Sequence, residues 1–172
     1  MARRSAGWDR TRQGGDPRWA TAYHEAGHCV VGLVTGEEPT KASVVAGDNF
    51  EGATWFDDDV HALLVDDPPR EASEWYIIRA FAGPMAEHRY TGNTTETASG
   101  ACEDYSQATE LLMRLTAEPD RLAAALQART EAILTEHWPA VERVAAALAE
   151  HLTVDGEEIR KAAHLKEGHI HD

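Results

Sequence analysis

A mainly helical domain with one small β element is the fold class this sequence predicts, and three observations predict it. Apolar residues recur at helical spacing through most of the chain, from Trp75, Ile78, Ala82 and Met85 to Leu122, Ala125, Leu126, Ile133 and Leu134. Only two short segments are β-prone, Thr40–Ala46 and Ala53–Phe56. They flank a turn through Gly47-Asp48-Asn49 and read as a hairpin. The 172 residues carry no internal repeat and no second composition regime, and a chain of that length buries a substantial core as one domain.

The elements follow in order. Residues 1–15 are rich in Arg, Gly and Ser without apolar periodicity and read as a mobile arm. A helix is expected from about Asp16, a suitable N-cap with Pro17 at the first helical position, to Thr35, with Gly36 at its exit. The hairpin comes next; its exposed edge could hold an extended peptide, and it could equally serve only to cover the core. Asp57-Asp58-Asp59 and Asp66-Asp67-Pro68-Pro69 bracket the stretch His61–Val65, and the triple aspartate reads as a solvated acidic turn. Helical spacing returns from Arg70 to Arg89, where Gly83-Pro84 predicts a break or kink. A loop through Thr91–Thr95 leads to a helix from near Gly100 to Thr116 with Leu111, Leu112 and Leu115 inward. Glu118-Pro119-Asp120 starts another helix, which Pro139 divides before Val141–Leu152. Asp155 with Glu158 resembles a capping box for a last short helix through Ile159. Residues 166–172 read as a flexible tail, and His164, His169 and His171 as solvated side chains.

Charge and composition narrow the function classes. Hydrophobic residues make up 42% and charged residues 27%, as in ordinary soluble proteins, and the formal net charge is −14. That charge argues against a nucleic-acid or anionic-membrane surface and favours basic or neutral partners. The longest apolar run, Cys29–Val34, is far too short to span a bilayer, and no apolar signal core follows the basic Met1–Gly7. Cys29 and Cys102 form no disulfide framework. A cytoplasmic protein is the expectation.

The chemistry is concentrated in His24-Glu25-Ala26-Gly27-His28. On a helix, histidines four apart project from one face, where both imidazoles reach a single ion; this is the HExxH zinc pattern. Glu25 points off the two-histidine axis yet borders the metal, placed to take a proton from an activated water. A catalytic zinc site needs a third protein ligand. Pattern alone leaves it open: Glu87 and His88 lie downstream on the expected helix, and Cys29 and Cys102 could also be proposed, although Cys29, next to His28, should point to another side and reads as a buried structural thiol.

Four motifs in order resemble the FtsH-type family of ATP-dependent zinc proteases. Ala22-Tyr23-His24-Glu25-Ala26-Gly27-His28-Cys29-Val30-Val31-Gly32 looks like its zinc-site helix, and Ala82-Gly83-Pro84-Met85-Ala86-Glu87 like its glycine-rich segment ending in Ala-Glu. Gly100-Ala101-Cys102-Glu103-Asp104, with Ala108-Thr109 after it, is similar to its Gly-Ala-Ser-Asn-Asp run, and Leu152–Ile159 to its Thr-Leu-Asp-Gly-Glu-Glu-Ile. The resemblance implies an FtsH-like peptidase domain over residues 16–165, with the small hairpin or short sheet near the active site. It also implies zinc on His24, His28 and Asp104, with Glu25 as general base. Pro84 and Cys102 depart from the family's usual residues.

The implied activity is hydrolysis of peptide bonds in unfolded or flexible polypeptides. Those family proteases also carry transmembrane segments and an ATPase module. The 172 residues contain no G-x-x-x-x-G-K-[ST] phosphate loop, so a separate ATPase is a candidate partner. The family's ring assembly makes a homo-oligomer a further expectation. A zinc-stabilised binding or regulatory module with little turnover is the competing class, and hydrolysis of a non-peptide amide a third.

Overall fold

The HExxH segment lies at the centre of a helix, α1 (Pro17–Thr35), that ends at Gly36 with a left-handed φ of 84°. The computed structural model describes residues 17–47, 52–57, 68–92 and 101–165. Expectations for the arm and the Asp16 cap, the turn at Asp48-Asn49, the acidic stretch 58–67, the loop 93–100 and the tail 166–172 lie outside the described residues. After α1 come β1 (Pro39–Ser43), β2 (Ala53–Phe56), α2 (Arg70–Thr91), α3 (Ala101–Leu115) and α4 (Pro119–Glu136). The chain continues through α5 (Trp138–His151), β3 (Thr153–Asp155) and α6 (Gly156–Ala163). The architecture is mainly α with a small antiparallel sheet, as the sequence predicts.

Ala22, Ala26, Cys29 and Val30 of α1 are fully buried, and α1 packs chiefly against α2 and α5. Small residues bring α1 and α2 together. A Cβ on Gly27 would stand 2.5 Å from the Ala82 carbonyl oxygen and 2.8 Å from the Ala86 Cβ, so the two backbones nearly touch. Tyr23 extends the contact by stacking between Tyr90 and Trp138, at 4.0 and 5.6 Å between ring centroids.

Of the break or kink expected at Gly83-Pro84, the break is absent: α2 runs unbroken from Arg70 to Thr91 with Pro84 inside it. Proline disfavours a helical residue before it partly through a clash with that residue's Cβ, and Gly83 has none. Burial of Ile77, Ile78, Phe81, Ala82 and Ala86 around the site holds the helix together.

The hairpin forms as expected, with Ala42 opposite Thr54 and Lys41 opposite Trp55. A third strand was not legible: β3 pairs antiparallel with the other edge of β1, Ala42 opposite Val154, giving the order β2-β1-β3. Three residues are too few to show an alternation, and the partner is remote in sequence. Asp155 then caps α6 through reciprocal bonds with Glu158, at 2.9 and 3.0 Å, forming the expected capping box. Pro139 sits at the start of α5, where it separates that helix from α4 as predicted. On α4, Leu126, Thr130 and Leu134 are buried, whereas Ala125, expected on the apolar stripe, is exposed.

Candidate metal centre

α1 presents His24 and His28 one turn apart on the face turned to α2 and α3. Both are buried, at 6 and 8% exposure. Gly83 makes their convergence sterically feasible, because a Cβ there would overlap His28 Nε2 and stand 2.7 Å from His24 Nε2. Asp104, in the first turns of α3, reaches the same point. Its Oδ2 lies 3.1 Å from His24 Nε2 and 3.4 Å from His28 Nε2.

These three side chains could hold one metal ion, their candidate ligand atoms all lying within 4.8 Å of one another. Two donors each about 2.1 Å from a tetrahedral ion stand about 3.4 Å apart, so the spacings of Asp104 Oδ2 from the two imidazoles fit. The outer nitrogens support the same reading. His28 Nδ1 donates to the Arg79 carbonyl at 2.9 Å, which leaves its Nε2 as the lone-pair side facing Asp104. His24 Nδ1 lies 2.9 Å from Glu87 Oε2.

The sequence-level candidates therefore separate by position. Glu87 faces the outer nitrogen of His24, on the side away from the cluster. His88, the next residue on α2, is exposed and is not one of the three clustered side chains. Cys29 is a fully buried thiol turned toward β2, with Sγ 3.8 Å from Thr54 Oγ1; the Cys102 side chain lies outside the described residues.

Electrostatics follow from this packing. Burial disfavours a charged His24, but its hydrogen bonds to Asp104 and Glu87 and the charges of Glu25 and Asp104 override that cost and raise its pKa to about 10. Asp104 likewise loses solvation, yet His28 and His24 hold it well below the usual carboxylate range. Glu25, 4% exposed, has its pKa pushed up by burial, against the opposing charges of His24 and His28 and the Thr54 hydrogen bond.

Sequence reasoning missed Thr54, whose Oγ1 donates to Glu25 Oε2 at 2.7 Å. It also missed the close approach at Gly83 and the Arg79 carbonyl. None of the three has a spacing signature relative to the motif; they reach it only through packing.

No protein among the curated sequences matches the chain. Among the described residues, no helix is long and apolar enough to cross a membrane. The model of peptidase family M41 matches residues 14–119, more than half of the chain and every residue of the cluster. The chain belongs to peptidase family M41, a metallopeptidase family, and carries the FtsH-type peptidase domain that its motifs resemble.

Proposed function

We propose that the protein is a zinc-dependent endopeptidase that cleaves unfolded or flexible polypeptides, with His24, His28 and Asp104 as the zinc ligands and Glu25 as the general base. The convergence of His24 Nε2, His28 Nε2 and Asp104 Oδ2 beside a buried glutamate carries this reading. Two imidazoles and one carboxylate suit zinc, which when bound supplies a Lewis acid that polarises a peptide carbonyl and acidifies water.

The chain's own residues account for the proton transfers. Glu25 lies between the two histidines in sequence, and Thr54 ties its carboxylate at one oxygen. Burial makes that carboxylate a stronger base than one in water, able to accept a proton from the attacking water and return it to the leaving amine. Glu87 and the Arg79 carbonyl orient the two imidazoles through their outer nitrogens. Nothing in these 172 residues supplies unfolding force, so folded substrates depend on another component, a separate ATPase being the chemical class that provides it.

The test is chelator-sensitive cleavage of an unfolded casein-like substrate, with metal content measured alongside. Glu25→Gln retains zinc and loses at least about 100-fold in kcat, in line with loss of a general base. Asp104→Ala loses the metal. Glu87→Ala keeps one zinc but binds it roughly 10- to 100-fold more weakly, as loss of an orienting partner does. Zinc-loaded parent protein that cuts no member of a broad peptide library would move the assignment to a zinc-stabilised binding module.

A further inference from the structure

We propose that Thr54 is a positioning residue whose hydroxyl fixes the orientation of the Glu25 carboxylate. Helix α1 carries two adjacent ladders of side chains spaced four apart. His24 and His28 face α2 and α3, while Glu25 and Cys29, each one position further on, face β2. Thr54 meets the second ladder from the strand: its Oγ1 donates to Glu25 Oε2 at 2.7 Å and lies 3.8 Å from Cys29 Sγ.

A hydroxyl has one proton and spare acceptor capacity. With that proton given to the carboxylate, the Thr54 oxygen is left to accept from the Cys29 S–H. The bonds therefore run in one direction, from Cys29 to Thr54 to Glu25.

The strand also limits the second carboxylate oxygen. A Cβ on Gly52 would stand 2.7 Å from Glu25 Oε1 and 2.5 Å from Thr21 Cγ2, so the backbone before β2 closes on that side. One oxygen is hydrogen-bonded and the other is confined, which fixes both the direction and the plane of the carboxylate. Thr54 itself is well anchored. Its neighbour across the ladder, Ala42, is fully buried and pairs on its other side with Val154, so the hydroxyl is fixed by a three-stranded sheet. A β-branched residue adds stiffness at χ1 that serine lacks.

This role rests on Glu25 as the general base, and the experiment separates the two. Zinc-loaded parent, Thr54→Val and Thr54→Ser proteins are compared for kcat, KM and zinc content, and their crystal structures are determined. In Thr54→Val, kcat falls roughly 10- to 100-fold with KM within about twofold, the scale expected when a reacting group is misplaced by about 1 Å. One zinc is retained, the Glu25 carboxylate turns out of its observed orientation, and Thr54→Ser restores both rate and orientation. Thr54→Ala, which sets no apolar branch against the carboxylate, gives the same readout if valine disturbs folding. A Glu25 carboxylate unmoved without the hydroxyl, or a loss in Thr54→Ser as large as in Thr54→Val, overturns the proposal. If the parent cleaves nothing, the peptidase reading falls, and the orientation of Glu25 in the structures still decides the role of Thr54.

Discussion

A methyl group on Gly83 would overlap His28 Nε2 and crowd His24 Nε2 at 2.7 Å, with the α2 backbone unable to retreat because Gly27 already touches Ala82. Gly83→Ala is therefore expected to reduce bound zinc from one per chain to near zero while the protein stays folded, read by metal analysis and circular dichroism. A second residue-scale prediction concerns protons. In the metal-free protein the pKa of His24 is raised from 6.5 to about 10, so its contribution to stability is complete below about pH 6.5 and is lost as pH rises through 10. Asp104 is shifted the other way, so its contribution is present above its ordinary value of 3.8 and is lost as pH falls further. The chelated protein should thus melt at progressively lower temperature from pH 6.5 to 10. The stabilisation by added zinc should grow over the same range, because metal binding must displace the His24 proton. Scanning fluorimetry with and without chelator checks both; a zinc effect that shrinks as pH rises would contradict the assignment. Of the residues involved, His24 and His28 were legible because helical spacing alone sets them on one face of α1, and Glu25 because it follows the first of them directly. Glu87 was legible as a residue but not in its role, since which nitrogen it meets depends on how α2 crosses α1.

Elements act on the site through their ends and crossings. Arg79 of α2 is buried at 5% exposure, pairs with Glu37 at 2.6 Å and lies 3.9 Å over the Phe56 ring, while its carbonyl orients His28. It joins α2 to the exit of α1 and to the end of β2. Arg79→Met should cost about 2–3 kcal/mol in denaturant unfolding, below the usual range for a broken buried pair because Glu37 retains 26% exposure. Zinc affinity should fall less than in Glu87→Ala, since the carbonyl remains. The capping box is simpler: Asp155→Ala removes the cap of α6 and should cost about 1 kcal/mol by the same measurement. That cap was readable because its two residues lie three apart in sequence, whereas the continuity of α2 through Pro84 was not. Local rules penalise a helical proline, and only burial of the surrounding turns outweighs them.

Taken whole, the molecule does not end where its site residues do. His24, Glu25, His28, Thr54, Glu87 and Asp104 all lie within the stretch that the family model matches, residues 14–119. Yet α5 packs along α1, and β3 completes the sheet that carries Thr54, with Ser43 Oγ 2.8 Å from Thr153 Oγ1. Gly156 at the start of α6 lies so close to the Pro39 carbonyl that a Cβ would overlap it. A chain cut after Leu152 should therefore lose cooperative unfolding and stoichiometric zinc binding even though it retains every proposed ligand. Thermal melts and metal content of the truncated protein test this, and full zinc binding by it would show that the C-terminal elements are dispensable to the site.

By itself the sequence determined the helical class, the hairpin, two candidate ligands and a candidate base on one helix, and the α6 cap. Each of these is written in spacings of four residues or fewer, or in local turn chemistry. Resemblance, not spacing, added Asp104, which lies 80 residues from His24. Tertiary structure alone decided that β3 closes the sheet, that Pro84 leaves α2 whole, that Gly83 gives the imidazoles room and that Thr54 holds Glu25. Those outcomes depend on how closely separate elements approach, a distance of a few ångströms set by packing that no local pattern encodes.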